Sequence, residues 1–299
     1  MRHLPSLKQL AYLKTLAEEE HFGRAATRCF VTQSTMSAGI KELEETLGVK
    51  LFERTKRSVM LTPMGLKITV AASDILLRTE DLMDLAAAGR EPLSGELRLG
   101  AIPTIGPYVL PGAMRAIGEA HANLKLYLVE EQTDEILDDL RRGELDIGLI
   151  ALPFEMTGLR AQSLGFDKFY LAVPDGHKLL KRKTVEISQI DPEALLLLGE
   201  GHCLKTHALS ACSVKESELR QSFQATSLGT LVQMVNAGLG ITLLPEMAIK
   251  AGILNGTGIK TLPIRDAEEQ REIALVWRKT SVRAKEFEML GDLLEKSIM

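Results

Sequence analysis

A change in the pattern of apolar residues near Gly95 restricts the fold of this chain more than any other feature of its sequence. Before this point, apolar residues recur at helical spacing, as they do from Leu7 to Leu16. After it, short apolar runs alternate with helical stretches, a pattern typical of α/β units. The sequence therefore predicts a helical N-terminal part followed by a larger α/β part.

The first 62 residues have the pattern of a winged helix-turn-helix. Ser6 is a plausible N-cap for the first helix, a second short helix is expected over 22–29, and a third over 33–47. Gly48 follows as a C-terminal stop. Two strand-like segments, 50–54 and 58–62, then enclose a basic tip, as expected for a wing.

Residues 63–90 are expected to form one long helix. Thr62 and Pro63 supply an N-cap and a first-turn proline. Apolar residues spaced by seven form one row, and a second row lies beside it: Ile68, Ile75 and Leu82, with Ala72, Thr79 and Ala86. This seam predicts a linker helix that pairs with a second copy. A helix packed on its own domain is the alternative.

Residues 91–299 are expected to form a regulatory domain of two α/β lobes, like a periplasmic-binding-protein fold. Strand-like runs are found at 96–102, 125–129, 146–149, 169–173, 195–198, 240–244 and 273–276. Helical stretches between them predict a mainly parallel sheet. Crossovers near Phe166 and Gln270 divide the domain into lobe I (91–166 plus 271–299) and lobe II (167–270). A cleft between such lobes is a usual place for a small ligand.

Charge and composition narrow the function classes. Residues 1–67 carry 11 Lys and Arg against 7 Asp and Glu, whereas the whole chain has a net charge of −4. A basic end on an acidic body favours a nucleic-acid-binding module. No apolar run approaches the ~20 residues of a membrane span. Three cysteines and no secretory pattern indicate a cytoplasmic protein with reduced thiols, which excludes secreted scaffolds and membrane proteins.

Several segments resemble the LysR-type transcriptional regulators. The N-terminal stretch is AATRCFVTQSTMSAGIKELEETLGVKLFERTKRSVMLTPMG, and the segment AGLGITLLP resembles the effector domain of that family. Three segments are similar to OxyR, the peroxide-sensing branch of the family: AIPTIGPYVLP, GHCLKTHALSAC and ATSLGTLVQMVNAGLGITLLP. The resemblance covers essentially the whole chain and implies a DNA-binding regulator that responds to peroxide.

The candidate DNA-binding residues lie on the third helix and the wing. Four polar residues occupy the first turn of the helix that enters the major groove in such motifs: Gln33, Ser34, Thr35 and Ser37. Glutamine pairs with adenine, and hydroxyls reach several bases. Four basic residues are expected to hold phosphates: Lys41, Arg54, Lys56 and Arg57. A merely solvated charged surface is the alternative.

Cys203 and Cys212 are the candidate redox pair. If their segment is helical, their Cα atoms stand about 13.5 Å apart, whereas a disulfide needs roughly 4.4–6.8 Å. Closing a bridge would therefore rearrange the segment, as a switch requires. Two unrelated buried cysteines remain an alternative, as does a zinc site formed with His202 and His207. Cys29 is expected to be an inert buried cysteine.

The resemblance to OxyR assigns roles around this pair. It implies that Cys203 reacts with peroxide beside His202 and that Cys212 resolves the product. It also implies that Thr104 and Thr133 position the peroxide and that Arg278 is a nearby cation favouring the thiolate. Separately, Thr226 and Ser227 open a helix in the expected cleft, where free N–H groups suit a polar ligand. Ordinary helix capping is the alternative for these two.

The sequence thus predicts a transcriptional regulator, and not an enzyme, that controls oxidative-stress genes and carries no cofactor or metal. Its expected partners are double-stranded DNA, hydrogen peroxide, further copies in a homodimer or homotetramer, RNA polymerase and a thiol reductant. One alternative is a LysR-type regulator that answers a small metabolite. Another is a thiol peroxidase or solute-binding protein built on the same lobes.

Overall fold

The computed structural model describes residues 4–54, 59–87, 92–199, 204, 225–265, 270–296 and 298, with the backbone alone at 54 and 84–87. The chain separates into two compact units, Met1–Gly89 and Arg90–Met299. Among the described residues, no helix combines the length and the apolar character that crossing a bilayer would require.

The first unit consists of helices and one antiparallel hairpin. Its elements are α1 (Leu7–Glu19), α2 (Phe22–Arg28), α3 (Gln33–Leu47), β1 (Phe52–Arg54), β2 (Val59–Leu61) and α4 (Pro63–Ala87). Thr32 caps α3 through its side chain, and Gly48 ends it in the left-handed conformation, at φ 70°. This order of elements confirms the helix-turn-helix expected from the sequence.

The long helix α4 uses its two halves differently. Ile68 and Ala72 pack into the core of the first unit, where Ala72 is only 2% exposed. Further along, Ile75 is 49% and Leu82 is 62% exposed. The alternative of a helix packed on its own domain therefore holds for the first half of the seam. The second half presents apolar side chains that this unit does not cover.

The second unit is built from alternating strands and helices. In chain order these are β3 (Gly95–Ala101), α5 (Gly106–Ala120), β4 (Leu124–Glu130), α6 (Thr133–Arg142), β5 (Ile147–Leu152), β6 (Leu159–Asp167), β7 (Phe169–Val173), α7 (Leu228–Asn236), β8 (Thr242–Pro245), α8 (Glu246–Lys250), β9 (Lys260–Pro263), β10 (Arg271–Arg278) and α9 (Ala284–Glu295). They form a five-stranded sheet in the order β4-β3-β5-β10-β6 and a three-stranded sheet in the order β8-β7-β9.

Each sheet belongs to its own apolar core. The first core contains β3, β5 and β10 with α5, α6 and α9, and the second contains β7 and β8 with α7. Tyr108 packs against both cores. The chain passes from the first sheet to the second between Asp167 and Phe169 and returns before Arg271. Two α/β lobes linked by crossovers are therefore present.

The expectation of a mainly parallel sheet is wrong. Strands β4 and β5 run parallel to β3, but β10 is antiparallel to both β5 and β6, and the second sheet pairs antiparallel throughout its ladders. The reason is that β6 leaves the first lobe while β10 returns to it, so the two strands run in opposite directions. The run 195–198 forms isolated bridges instead of the expected strand.

Candidate functional site

The candidate DNA-reading face of the first unit is the exposed first turn of α3. Gln33, Ser34 and Thr35 are all exposed, and Ser37 is half-buried. The Thr32 hydroxyl accepts the backbone N–H of Thr35 at 3.2 Å and lies 2.9 Å from the Ser34 hydroxyl. The cap therefore fixes the start of the helix while its polar side chains face outward, as base reading requires.

The basic residues expected to hold phosphates are only partly described. Lys41 is exposed on α3, one turn from Glu45, and its Nζ lies 3.7 Å from the Glu45 carboxylate. Arg54 ends β1, but its side chain is outside the description, and Lys56 and Arg57 lie outside the described residues altogether. The phosphate-binding role of the wing thus stays a prediction.

Glu44 joins α3 to the hairpin. Its carboxylate accepts the backbone N–H groups of Leu51 at 2.9 Å and Phe52 at 3.4 Å, and Lys50 Nζ lies 2.9 Å from it. Burial raises the pKa of Glu44, but the Lys50 contact and the two amides outweigh it and leave the pKa below its ordinary value. This side chain therefore fixes the position of the wing relative to the reading helix.

A buried polar cluster lies at the edge of the five-stranded sheet that is formed by the carboxyl ends of β3 and β5. Arg271 Nη1 donates to the Thr104 hydroxyl at 2.9 Å, and Nη2 donates to the Thr104 carbonyl at 3.2 Å. Nη2 also donates to the Asp167 carboxylate at 2.8 Å. Both charged side chains are almost fully buried. We call Thr104, Asp167 and Arg271 the edge cluster.

The edge cluster connects the two lobes. Asp167 ends β6 and Arg271 begins β10, the two strands next to the crossovers. The second carboxylate oxygen of Asp167 accepts the backbone N–H of Met247 at 3.0 Å, and Met247 lies at the start of α8 in the second lobe. A change in the relative position of the lobes would therefore disturb the contacts of Arg271 and Thr104.

Thr133 lies at the same edge of the sheet. Thr104 follows β3 and Thr133 follows β4, and these neighbouring strands are parallel, so both threonines lie beyond their carboxyl ends. Thr133 is 2% exposed, and its hydroxyl has no hydrogen-bond partner among the described residues. In open α/β sheets, ligands bind at such an edge.

Arg278 is not at this edge. Its guanidinium donates to the carbonyls of Leu140 and Leu145, both at 2.7 Å. Arg278 ends β10, seven residues of strand after Arg271, which corresponds to about 23 Å. The resemblance implies Arg278 as a nearby cation that favours the thiolate, but the arginine beside Thr104 is Arg271, because β10 runs antiparallel and puts its first residue at the carboxyl ends of β3 and β5.

Sequence reasoning missed Arg271 and Asp167. The segment REIALVWR has an arginine at each end of an apolar strand, and either would suit a buried ion pair. Only the direction of the strand decides which arginine meets Thr104. Asp167 does not lie in a recognisable sequence motif, so the sequence did not single it out.

Two titratable groups near the edge have shifted pKa values. Burial and the negative charge of Glu130 raise the pKa of Tyr108 to about 12, although Arg271 opposes the shift. Burial, Asp139 and Glu135 raise the pKa of Glu131. The Tyr108 phenol therefore stays protonated at neutral pH, as an ordinary tyrosine does.

The remaining site residues are described in part. Cys203, Cys212 and His202 lie outside the described residues. Leu204, the next residue after Cys203, is 3% exposed and belongs to the core of the second lobe. Cys29 is a half-buried free thiol in the first unit.

Thr226 and Ser227 are exposed at the start of α7. The Ser227 hydroxyl accepts the backbone N–H of Thr230 at 3.2 Å, which is ordinary helix capping. A role for either residue in ligand binding stays a prediction.

Two family models match the chain. The bacterial regulatory helix-turn-helix protein, lysR family, matches residues 7–66, and the LysR substrate binding domain matches residues 90–298. The chain is 40% identical over 296 residues to the HTH-type transcriptional regulator EstR of Acinetobacter baylyi, covering 99% of this chain and 98% of that protein. It is 37% identical over 289 residues to the transcriptional dual regulator OxyR of Escherichia coli, covering 97% and 94%.

A solved structure of full-length OxyR from Pseudomonas aeruginosa, a cysteine-to-aspartate variant, matches with a TM-score of 0.81 at 36% identity. The match covers 98% of this chain and 95% of that one. A hydrogen-peroxide-bound OxyR variant from Corynebacterium glutamicum matches with a TM-score of 0.67 at 34% identity, covering 99% and 94%.

Proposed function

We propose that this chain, which belongs to the LysR family of bacterial helix-turn-helix transcriptional regulators, senses hydrogen peroxide through a reversible disulfide between Cys203 and Cys212. The observation that carries the proposal is the buried edge cluster together with the hydroxyl of Thr133, which has no hydrogen-bond partner in the described part of the chain. The peroxide-sensing relatives, of which E. coli OxyR is one, support it.

The two threonines supply hydrogen-bond donors for a small polar oxidant. The Thr104 oxygen already accepts from Arg271, so its own O–H is left to donate elsewhere. The hydroxyl of Thr133 has no partner among the described residues, so it too is available to a ligand. We propose that both hydroxyls donate to the oxygens of one peroxide molecule.

Arg271 takes the role expected of Arg278. A guanidinium stays positively charged at all physiological pH values, and in a buried site its field is weakly screened. We propose that it favours the thiolate of Cys203 and the negative charge that develops on the leaving oxygen. His202, the residue before the reactive thiol, is proposed to assist.

The chemistry consumes one peroxide and two thiols. The Cys203 thiolate attacks one peroxide oxygen, forming an S–O bond and breaking the O–O bond, and hydroxide leaves and takes a proton to become water. The Cys212 thiol then attacks the sulfenic sulfur, forming the S–S bond and releasing a second water. A thiol reductant restores both cysteines, so the chain acts as a stoichiometric sensor of peroxide.

The output is a change in DNA binding. Gln33, Ser34, Thr35 and Ser37 are proposed to read bases, and Lys41 with the basic residues of the wing is proposed to bind phosphates. Asp167 contacts Met247 across the two lobes. We propose that rearrangement of the cysteine segment changes this contact and so changes how the lobes pack. RNA polymerase is the proposed partner at promoters.

Assembly is proposed to use two surfaces. The uncovered half of α4, with Ile75 and Leu82, would pair two copies of the DNA-binding unit. In the regulatory unit, the edge strand β4 exposes Tyr127 and Leu128 beside an apolar groove of about 290 Å³. An exposed apolar face of this kind suits contact with a second pair, giving a tetramer.

The test is a thiol count by mass spectrometry before and after one equivalent of peroxide. If the proposal is right, one equivalent of peroxide removes two thiols, leaves the Cys29 thiol free and changes the DNase footprint of the protein on DNA. The alternative is a regulator that answers a metabolite in the interlobe cleft, and one relative, at 40% identity, is named only as the HTH-type transcriptional regulator EstR. This alternative takes the two cysteines as incidental. It expects no loss of thiols at one equivalent and an unchanged footprint.

Thr133→Val separates ligand binding from folding. Valine has nearly the shape of threonine, and it removes a buried hydroxyl that has no partner among the described residues, so the melting temperature should stay the same or rise. The rate of disulfide formation with peroxide should fall about fivefold, since a hydrogen bond to peroxide is worth roughly 1 kcal/mol. An unchanged rate would remove Thr133 from the proposed site.

A further inference from the structure

Phe30 is an unexplained aromatic side chain in the DNA-binding unit. It lies in the turn between α2 and α3 and is 95% exposed, the highest exposure among the large apolar residues described. Single exposed apolar side chains are common on protein surfaces. Exposure alone therefore does not indicate a function for Phe30, but the conformation of its backbone is also unusual.

The backbone of Phe30 is in the left-handed region, with φ at 55°. Phe30 N–H donates to the Thr27 carbonyl at 3.1 Å, and Val31 N–H donates to the Ala26 carbonyl at 3.0 Å. These bonds close the C-terminus of α2 in the manner that usually requires glycine. A side chain at this place strains the backbone, because its Cβ approaches the following carbonyl.

The position of Phe30 thus has a folding cost that its ring does not offset. A ring that is 95% exposed contributes almost no buried apolar area to the unit. Strained residues that lack a structural reason are concentrated at functional sites. The adjacent Val31 packs partly against the core and anchors the turn on the other side.

The turn brings the ring close to the reading face. Gln33, the first residue of α3, is three residues further along, and three residues span at most about 10 Å. The major groove is ~12 Å wide. If α3 enters the groove through its first turn, the ring of Phe30 lies at the edge of the same groove.

We propose that Phe30 is a DNA contact, whose ring packs on apolar surface at the edge of the major groove. This inference rests on the proposed DNA binding by α3. The phenyl ring has no hydrogen-bonding group, so the surface that it recognises is a thymine methyl or the carbon face of a deoxyribose. Gln33 and Ser34, three and four residues further along the chain, are polar and exposed, which favours DNA over an apolar protein partner.

The experiment compares Phe30→Gly, Phe30→Leu and wild type in the reduced full-length chain. The probe is a duplex that the wild-type chain selects from a random pool. Phe30→Gly relieves the left-handed strain, so the melting temperature should rise by about 4 °C or more. The same variant should bind the duplex about tenfold more weakly, and Phe30→Leu should lose less.

The salt dependence adds a readout that a phosphate contact would not give. An apolar contact releases no counterions, so the slope of log affinity against log salt should be the same for Phe30→Gly and wild type. A slope reduced by about one would instead indicate a lost phosphate contact and would contradict the apolar assignment.

Glu20→Gly is the matched control. Glu20 caps α1 in the same unit and has a φ of 49°, so glycine relieves the same kind of strain there. It should raise the melting temperature without weakening DNA binding. If Phe30→Gly bound the selected duplex as tightly as wild type, the proposal would be overturned.

The source of the apolar surface is resolved by replacing thymine with deoxyuridine in the selected duplex. Loss of wild-type affinity, with no further loss for Phe30→Gly, assigns the contact to a thymine methyl. Unchanged wild-type affinity with a weak Phe30→Gly variant assigns it to deoxyribose. If the wild-type chain selects no duplex at all, the proposed DNA binding by α3 is wrong, and the Phe30 contact that rests on it is wrong as well.

Discussion

Asp167→Asn tests whether the buried ion pair of the edge cluster holds the regulatory unit together. The substitution keeps the shape of the side chain and an oxygen that can still accept the N–H of Met247. It removes the negative charge that lies 2.8 Å from Arg271, whose side chain has no exposure. The guanidinium then remains buried, and within the described residues the oxygen acceptors left to it are the neutral hydroxyl and carbonyl of Thr104.

The expected cost follows from that burial. Removing one partner of a buried ion pair costs about 3–5 kcal/mol, because the other charge is left uncompensated. In a domain of 150–250 residues, each kcal/mol lowers the melting temperature by about 2–4 °C, so the expected loss is roughly 6–20 °C. Trp277 is the only tryptophan of the chain, is 1% exposed and lies on β10, so its fluorescence reports unfolding of this unit.

Asp138→Asn is the matched control. Asp138 pairs with Arg141 at 2.9 Å, nearly the same distance, but the two side chains are 57% and 39% exposed. An exposed pair contributes only about 0.2–1 kcal/mol. If Asp167→Asn and Asp138→Asn lowered the Trp277 transition equally, the argument that burial sets the value of the Asp167–Arg271 pair would be wrong.

Three further predictions concern the first unit. Glu44→Gln should lower its free energy of unfolding by about 1–3 kcal/mol at neutral pH, as measured by circular dichroism. Because the pKa of Glu44 is lowered in the folded state, this difference should shrink as the pH falls below the ordinary value of 4.5; a difference that persisted unchanged in acid would refute the role of the charge. Gln33→Ala or Thr35→Ala should cost about 1–3 kcal/mol of binding and relax the sequence preference, seen as a smaller ratio of affinities for a selected and a random duplex. Ile75→Glu should give monomers by sedimentation, because it places a charge in the seam of α4; an unchanged dimer would remove Ile75 from the interface.

The sequence predicts the first unit well because its signals are local. The sequence predicts Gly48 as the stop of α3, and the structure adds Thr32 as its cap; each acts within a few residues of its own position. What the apolar seam on α4 packs against is not determined by local sequence. Whether Ile68 faces a partner or its own core depends on where α1 packs, and spacing by seven residues does not contain that information.

The regulatory unit shows where sequence reasoning stops. The sequence analysis does not identify strand β6, because Leu159–Asp167 mixes polar and apolar residues without clear alternation. The antiparallel direction of β10 depends on a return from the second lobe, about 100 residues after the chain leaves the first. The resemblance assigned the cation to Arg278 and did not consider Arg271, although the two arginines occupy opposite ends of β10 and strand direction decides which one lies beside Thr104.

Cys203 is proposed to react with peroxide and Cys212 to resolve the product. Dimedone labelling with peptide mapping, on Cys212→Ser and Cys203→Ser proteins treated with peroxide, tests these two roles. We expect label on Cys203 in the Cys212→Ser protein, over-oxidation of that residue at high peroxide, and no peroxide response in the Cys203→Ser protein. Label found only on Cys212 would reverse the two roles. No label on either cysteine, in a protein that still regulates its promoter, would contradict peroxide sensing by this pair.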